Sequence, residues 1–408
     1  MQILFLAHRI PYPPDKGERI RAFHELRYLG SRHEVDLFCF ADSDKAAEDQ
    51  DYLRRYCRRI HVEVLRQPAR ILRAGMNFVS GQPVSFGFFA SPAFRRKTRE
   101  AMGNCAYDVI FVYSSAMGQF IPQPAPVPVV VDFVDADSQK FTQYAASSGV
   151  VGRLFCTREA RSVASAERML GRQAKSSFAV TEHDARDLGG PQGKDFKVEV
   201  IPNGVQVPES SGVDEPTLSG VRPYLLFVGT MNYPPNADAV IYFARTILPL
   251  VRKSYPGMKF VIVGRDPDRR VRELAEIPGV LVTGTVADPF PYFRNAELSV
   301  APFRISQGFH NKIAESLAVG TPVVTSSRAK AGIGLSEREG LFVADSPEEF
   351  VKQVEAALDP EFRRKIRENA ATVRQMLSWD ARLEKMEALI VQASAAADMP
   401  AFVSALEH

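Results

Sequence analysis

The sequence predicts an α/β protein made of two doubly wound domains, each built on a parallel sheet. Short apolar runs of about five residues alternate with longer helical stretches through the whole chain, the pattern of strand–crossover–strand units. Runs such as YLLFVG at 224–229 and FVIVG at 260–264 are apolar without alternation, as strands buried on both faces must be. The length, 408 residues, suits two or three domains at about 150 residues each, and the organisation repeats once.

In the first half, strands are expected at Ile3–Ala7, Val35–Phe40, His61–Val64, Asp108–Val112, Val127–Phe133, Ser177–Val180 and Lys197–Ile201. In the second they fall at Tyr224–Gly229, Lys259–Gly264, Gly279–Thr283, Leu298–Ala301, Pro322–Thr325 and Leu341–Val343. PESSGVDEPTLSGVR lacks periodicity and is rich in Ser, Gly and Pro, so residues 208–222 read as a linker between domains at 1–207 and 223–379. Three consecutive helical segments follow Pro347, and the last, from about residue 380 to 408, is expected to return toward the first domain.

Composition excludes several classes. Hydrophobic residues at 45% and charged ones at 24% describe a soluble globular chain, not a disordered or fibrous one. Cys39, Cys57, Cys105 and Cys156 form no C-x-x-C pair and have no His at zinc-ligand spacing, so neither a disulfide scaffold nor a metal finger is indicated. The N-terminal apolar run is too short for a signal peptide and no stretch reaches the length of a membrane span, which points to a cytoplasmic protein, at most peripheral on the inner membrane. Net charge is +3, yet residues 52–100 hold 11 Lys and Arg against only Glu63 and Glu100. Within that region Arg70 and Arg73, with Ile71, Leu72, Met76 and Phe78, suit an amphipathic surface for anionic headgroups, or equally a solvated basic face. No recognition motif accompanies the charge, so nucleic acid is not the expected partner.

Residues 297–325 carry the strongest motif. A buried strand ends at Pro302, a polar loop with Gly308 follows, a helix runs from about Asn311 to Val319, and Gly320-Thr321-Pro322 leads into another strand. In open α/β sheets ligands bind at the carboxyl ends of strands, where a helix N-terminus offers free N–H groups to an anion. The loop Gln307, Gly308, Phe309, His310, Asn311 and Lys312 stands there. Lys312 can meet a phosphate as a point charge and Glu315 can accept from ribose hydroxyls; the alternative is that both solvate a helix face. No G-x-G-x-x-G follows any strand, which disfavours a redox dinucleotide site.

The segment from Glu315 to Val324, ESLAVGTPVV, resembles the donor motif of GT-B glycosyltransferases, specifically the retaining family-four (group 1) type, in which two glutamates eight residues apart precede a small-residue segment and G-x-PVV. IPNGV at 201–205, LFVG at 226–229, FVIVG at 260–264 and VTGTV at 282–286 are similar to further elements of that family in the same order, along essentially the whole chain. FVGTMNYPPNADAV with QGFHNKIAES looks closest to bacterial members associated with exopolysaccharide loci and the PEP-CTERM/exosortase system. The resemblance implies two Rossmann-like domains facing a cleft, with the hexose gripped at Gln307 and the ribose at Glu315. It also places Gly17, Gly229 and Gly284 among the donor-binding residues.

Two departures stand out: Gln307 replaces the first glutamate, and Thr230 and Asn236 stand where the family has Arg and Lys for the diphosphate. Lys312, Arg304 and Arg265 are the cations near predicted strand ends that can replace them.

In the first domain, HRIPYPPDKGER at 8–19 forms a proline-stiffened loop after strand one, with His8, Tyr12 and Arg19 on the acceptor side. Asp135 and Asp137 follow another strand end. They suit an acid/base pair or the positioning of an acceptor hydroxyl, and Asp137 and Ser138 equally suit the cap of the next helix. With Lys312 these two aspartates are the candidate catalytic residues.

The resemblance thus implies a hexosyltransferase acting with retention, using a nucleotide diphosphate sugar and a saccharide or polyprenyl-linked acceptor, with no metal and no further cofactor. A nucleotide-sugar 2-epimerase on the same fold, and a non-catalytic partner that has lost the phosphate-binding basic pair, are the alternatives.

Overall fold

The computed structural model describes residues 1–14, 17–190, 194–208, 220–305, 308–330 and 332–395. The chain forms two compact units, one of Met1–Ile201 with Leu383–His408 and one of Pro202–Arg382. Most of the expected linker, residues 209–219, lies outside the described residues, as does the end of the chain after Ala395.

The first unit carries strands β1 (Gln2–Ala7), β2 (Glu34–Ala41), β3 (Arg59–Val64), β4 (Val109–Tyr113), β5 (Val129–Asp132), β6 (Ser176–Ala179) and β7 (Glu199–Val200). They form one sheet in the order β3-β2-β1-β4-β5-β6-β7, with every pairing parallel. The inner strands are buried on both faces because helices cover each side. Leu4, Leu6, Phe40, Phe94, Ile110 and Phe120 lie in the larger core cluster of this unit. Expected strand Val127–Phe133 begins only at Val129, because Pro128 has no N–H to give the ladder and contributes only its carbonyl, which accepts from Ile110.

The second unit repeats the plan with β8 (Tyr224–Val228), β9 (Lys259–Val263), β10 (Val280–Gly284), β11 (Leu298–Ala301), β12 (Val323–Thr325) and β13 (Leu341–Val343). Their order is β10-β9-β8-β11-β12-β13, again all parallel. All thirteen expected strands are therefore present, and the fold class is as the sequence predicts. In each sheet the winding reverses once, between β1 and β4 and between β8 and β11, which opens a crevice at those strand ends.

Three helices follow β13, at Pro347–Ala357, Pro360–Met376 and Trp379–Ala395. A Ser346/Glu349 capping box starts the first, and Asp359 accepts from the Phe362 N–H at 2.8 Å to start the second. The third joins the first unit from Leu383 onward. There Glu387 accepts from the Tyr28 hydroxyl at 3.0 Å and Lys385 pairs with Glu199 at 3.0 Å.

Two glycines fix the end of the second sheet. A Cβ at Gly264 would fall 1.6 Å from the Gly229 carbonyl oxygen, so the backbones leaving β8 and β9 touch only because no side chain intervenes. Gly264→Ala is therefore expected to force these ends apart at a cost of about 2–3 kcal/mol. The measurement is the urea midpoint followed by fluorescence of the single tryptophan, Trp379, which is buried and whose backbone packs on Gly204. An unchanged midpoint would refute the constraint.

Candidate active site

In the second unit the chain leaves β11, passes the loop that contains Gly308 (φ 67°) and enters the helix Asn311–Ala318. That helix is amphipathic, with Ile313, Ala314, Leu317 and Ala318 in the core, and Ser316 Oγ lies 2.7 Å from Ser299 Oγ of β11. Its seating brings Lys312 to the end of β8. Lys312 Nζ donates to Asn236 Oδ1 at 2.6 Å, while Asn236 Nδ2 donates to the Thr230 carbonyl at 2.9 Å. A Cβ at Gly229 would lie 2.8 Å from both Lys312 Nζ and Asn236 Nδ2.

The ammonium also sits over two aromatic rings, 4.3 Å from the centroid of Phe227 and 4.9 Å from that of Phe303. Lys312, 76 residues from Asn236, thus joins Gly229, Thr230 and Asn236 in one cluster.

Lys312 makes no ion pair with a described residue. Burial lowers its pKa to about 7, against the opposing pull of Glu315 one turn on. Burial likewise raises Glu315 to about 7, with Lys312 acting in the other direction. The Glu315 carboxylate accepts no hydrogen bond from a described residue. His310, at the helix N-cap, stacks on Phe303 at 4.3 Å and is held neutral, its pKa lowered to about 3 by burial and then by Lys312. Asn311 opens the helix, with its Oδ1 3.5 Å from Asn203 Nδ2, which ties the IPNGV element to this site. Phe309 is partly buried against the core.

The other cations differ from each other. Arg304 is held by Asp238 through both carboxylate oxygens and lies over the Tyr242 ring at 4.7 Å, so its charge is already matched. Arg265 follows β9, is exposed and has no side-chain partner among the described residues. Gly284 ends β10 with φ 73°. Gln307 lies outside the described residues.

In the first unit Gly17 opens the helix Gly17–Gly30 and is exposed. His8 stacks on Tyr113 at 5.8 Å and Tyr12 on Tyr52 at 4.0 Å, while Arg19 is partly buried. Asp135 and Asp137 both face Lys140, at 3.5 and 3.0 Å. Burial raises the Asp135 carboxyl, with Lys140 opposing. The capping reading of Asp137 is corrected: it is the first residue of the helix Asp137–Ser147, and the N-cap, Ala136, offers no side-chain acceptor. Carboxylates from other helices serve that end instead. Asp184 accepts from the Ala136 N–H at 3.1 Å and Glu167 from the Ser138 N–H at 3.2 Å.

A buried cluster escaped the sequence reading. Arg21 Nε reaches Asp132 at 2.6 Å and Glu25 at 2.9 Å, all three side chains fully buried, and its NH1 donates to the Ile201 carbonyl at 2.9 Å. One cation faces two carboxylates. Burial first, then Asp132, raises the Glu25 pKa well above the usual range, with Arg21 opposing. The Arg21–Glu25 spacing of four was legible on a helix, but Asp132 lies 111 residues away and nothing in the sequence links it. Among the described residues no group of three His, Cys, Asp or Glu side chains is placed to hold a metal ion.

Two doubly wound parallel α/β units with this strand order constitute the GT-B fold. Residues 222–360 match the family model described as glycosyl transferases group 1. The phosphatidyl-myo-inositol mannosyltransferase of Mycolicibacterium smegmatis is 28% identical over 245 residues, 58% of this chain and 57% of that protein, so the chain spans little more than half the length of this relative. Among solved structures, a sucrose-phosphate synthase from Thermosynechococcus elongatus superposes with a TM-score of 0.66 at 16% identity, covering 97% of this chain and 99% of its own. Anabaena HepE in complex with UDP also gives 0.66, at 15% identity, over 96% of this chain and 100% of that one.

The triad predicts opposite outcomes for its members. Arg21→Met leaves the buried Asp132 carboxylate and the Glu25 carboxyl without their cation and is expected to cost about 3–5 kcal/mol. Glu25 has a folded pKa above its unfolded one, so its ionisation adds no penalty at low pH and destabilises the fold progressively as pH rises above about 4.5. Glu25→Gln should therefore leave the melting temperature near wild type at pH 5 and raise it at pH 8. A variant less stable than wild type at pH 8 would show that Glu25 is ionised in the fold.

Proposed function

We propose that the protein is a glycosyltransferase that moves a hexosyl residue from a nucleotide diphosphate sugar to a saccharide or lipid-linked saccharide acceptor, with retention, in the assembly of exopolysaccharide or another cell-surface glycan. The observation that carries this reading is Lys312 beside Gly229 and Asn236 at the end of β8: a desolvated cation that makes no ion pair with a described residue, where a diphosphate is the matching charge. The group 1 family match over residues 222–360 supports the reaction class. The UDP in the HepE complex favours a nucleotide donor, and the mannosyltransferase relative, named for a phosphatidyl-inositol, favours a lipid-borne acceptor.

Bond cleavage moves negative charge onto the departing diphosphate, and preorganised donors at that point lower the barrier most. Lys312 and the N–H groups that open the helix at Asn311 supply that field, and Arg265 adds an exposed cation at the end of β9. Glu315, whose carboxylate accepts no hydrogen bond from a described residue, accepts from ribose hydroxyls. The acceptor hydroxyl attacks from the face the diphosphate leaves and gives its proton to a diphosphate oxygen, so the donor half of the reaction uses no metal and no protein base. Asp135 and Asp137, oriented by Lys140, position the acceptor. The enzyme would then work at the cytoplasmic face of the inner membrane, in the PEP-CTERM/exosortase-associated branch of the family.

Calorimetry with UDP, GDP and ADP tests the donor site. One nucleotide is expected to bind in the micromolar range, with Lys312→Ala weakening it at least ten-fold and Glu315→Ala about five-fold. No binding of any nucleotide by the folded wild type would overturn the reading and leave a non-catalytic scaffold. Because Lys312 titrates near 7 without ligand and a bound diphosphate raises its pKa, binding at pH 7.5 should take up protons. In the Glu315→Gln background, binding enthalpies in Tris and PIPES should therefore differ by the buffers' ionisation heats, a difference that Lys312→Met abolishes.

A further inference from the structure

The helix Gln67–Val79 lies on the first unit with its amphipathicity inverted. Its polar and small residues face the protein: Ala74 is buried with its backbone against Gly87, Arg70 pairs with Asp42 at 3.2 Å, and Asn77 Nδ2 donates to the Pro83 carbonyl at 2.9 Å. The apolar face points outward, with Leu72 67% and Val79 87% exposed and Ile71, Met76 and Phe78 beside them. Such a stripe ordinarily packs on a core.

A second element extends it. The first turns of the helix Val150–Gln173 present Val150, Val151 (81% exposed), Leu154 and Phe155. The two helices are fastened together. Phe78 and Phe155 stack with centroids 6.3 Å apart, Arg158 lies over the Phe78 ring at 4.8 Å, and its NH2 donates to the carbonyls of Asn77, Phe78 and Gln82. The exposed apolar residues are thus one ridge.

Charge chooses the occupant. Residues 64–99 and 138–158 contain no Asp or Glu. Glu159, next in sequence, is buried and satisfied by the Val84 and Ser85 N–H groups at 2.9 and 2.8 Å. The side chains of Arg66, Arg73, Arg153 and Arg161, on the same two helices and their approach, make no hydrogen bond or ion pair with a described residue. An apolar ridge accompanied by unmatched arginines, in two stretches of chain that hold no exposed Asp or Glu, complements a surface that is negative outside and apolar beneath. We infer that this ridge, Ile71–Val79 with Val150–Phe155, docks the protein on an anionic lipid bilayer. No helix among the described residues is long and apolar enough to cross a membrane, so the attachment is interfacial.

This inference goes beyond the transferase reading, and its test needs neither nucleotide nor acceptor, so the two can fail separately. The full chain is sedimented with vesicles of phosphatidylcholine alone and of phosphatidylcholine with 30% phosphatidylglycerol. Binding is expected to the anionic vesicles, about five-fold weaker for each of Arg66, Arg73 and Arg153 changed to Gln, and lost at high salt. Leu72→Ser with Val151→Ser should weaken it about ten-fold, and these outward side chains can be changed without touching the core. Met376→Ser, an exposed apolar site in the other unit, should leave it unchanged. No binding to either vesicle, equal binding to both, or a concentration-dependent dimer in sedimentation velocity that Val151→Glu dissolves would each overturn the proposal, the last by naming a second copy as the occupant.

Discussion

The candidate site around Lys312 depends on one backbone contact, the approach of Gly229 to Gly264 at the ends of β8 and β9. Parallel strands must send their connections back over one face or the other, and at β8 and β11 the connections part. That parting leaves strand ends without a covering segment, while the two glycines keep those ends narrow enough for the Lys312 ammonium to reach Asn236. A side chain at either glycine fills the space the ammonium occupies or drives β9 away from β8. The electrostatics follow from this geometry. The lysine is confined between Phe227, Phe303 and an uncharged amide, so it loses hydration and gains no ion pair with a described residue. A positive charge held in that state has more to gain from an incoming diphosphate than an arginine such as Arg304, whose guanidinium already has Asp238.

What was legible in the sequence was local. The helix Asn311–Ala318 follows from apolar spacing and from Gly320-Thr321-Pro322, and the thirteen strands follow from short apolar runs, because in a parallel sheet the hydrophobic pattern and the secondary structure have one cause. Lys312 and Glu315 could be proposed because they share that helix. That Asn236 would accept from Lys312 could not, since a loss of charge at 236 reads as a missing phosphate ligand until the structure shows the amide holding the lysine that remains. Arg21 and Glu25 sit in a helix where four-residue spacing ordinarily marks a solvated pair. Only the packing against β5 shows that both are buried and that Asp132 competes for the same cation.

The same distinction explains the end of the helix Asp137–Ser147. Sequence rules place the capping acceptor next to the helix, since chain neighbours need no tertiary fold to find each other. Here the acceptors are Asp184 and Glu167, 48 and 29 residues away from the groups they serve, which frees Asp137 for Lys140 and Ser115. Burial of Glu167 at that helix end raises its pKa to about 7, with the Ser138 hydrogen bonds opposing. This helix start is therefore held by a carboxyl near its own titration point. An ordinary serine or threonine cap has no such sensitivity to pH.

Amphipathicity along a helix states how the apolar residues are grouped but not where the group points. An ordinary core-packed helix with the pattern of Gln67–Val79 would seat Leu72 and Met76 in the core and leave Arg70 in solvent. The fold does the reverse, because Ala74 at the centre of the opposite face is small enough to meet Gly87 while Asp42 is placed to take Arg70. Close backbone contact at Ala74 is closed to the Leu72 face, whose side chains would hold the helix off by their own length. The inverted seating is thus fixed by the small-residue contact beneath, and the apolar ridge above is its unavoidable complement. A ridge of that kind exposes surface at about 25 cal/mol per Å² and persists where an apolar medium covers it in the working state of the protein.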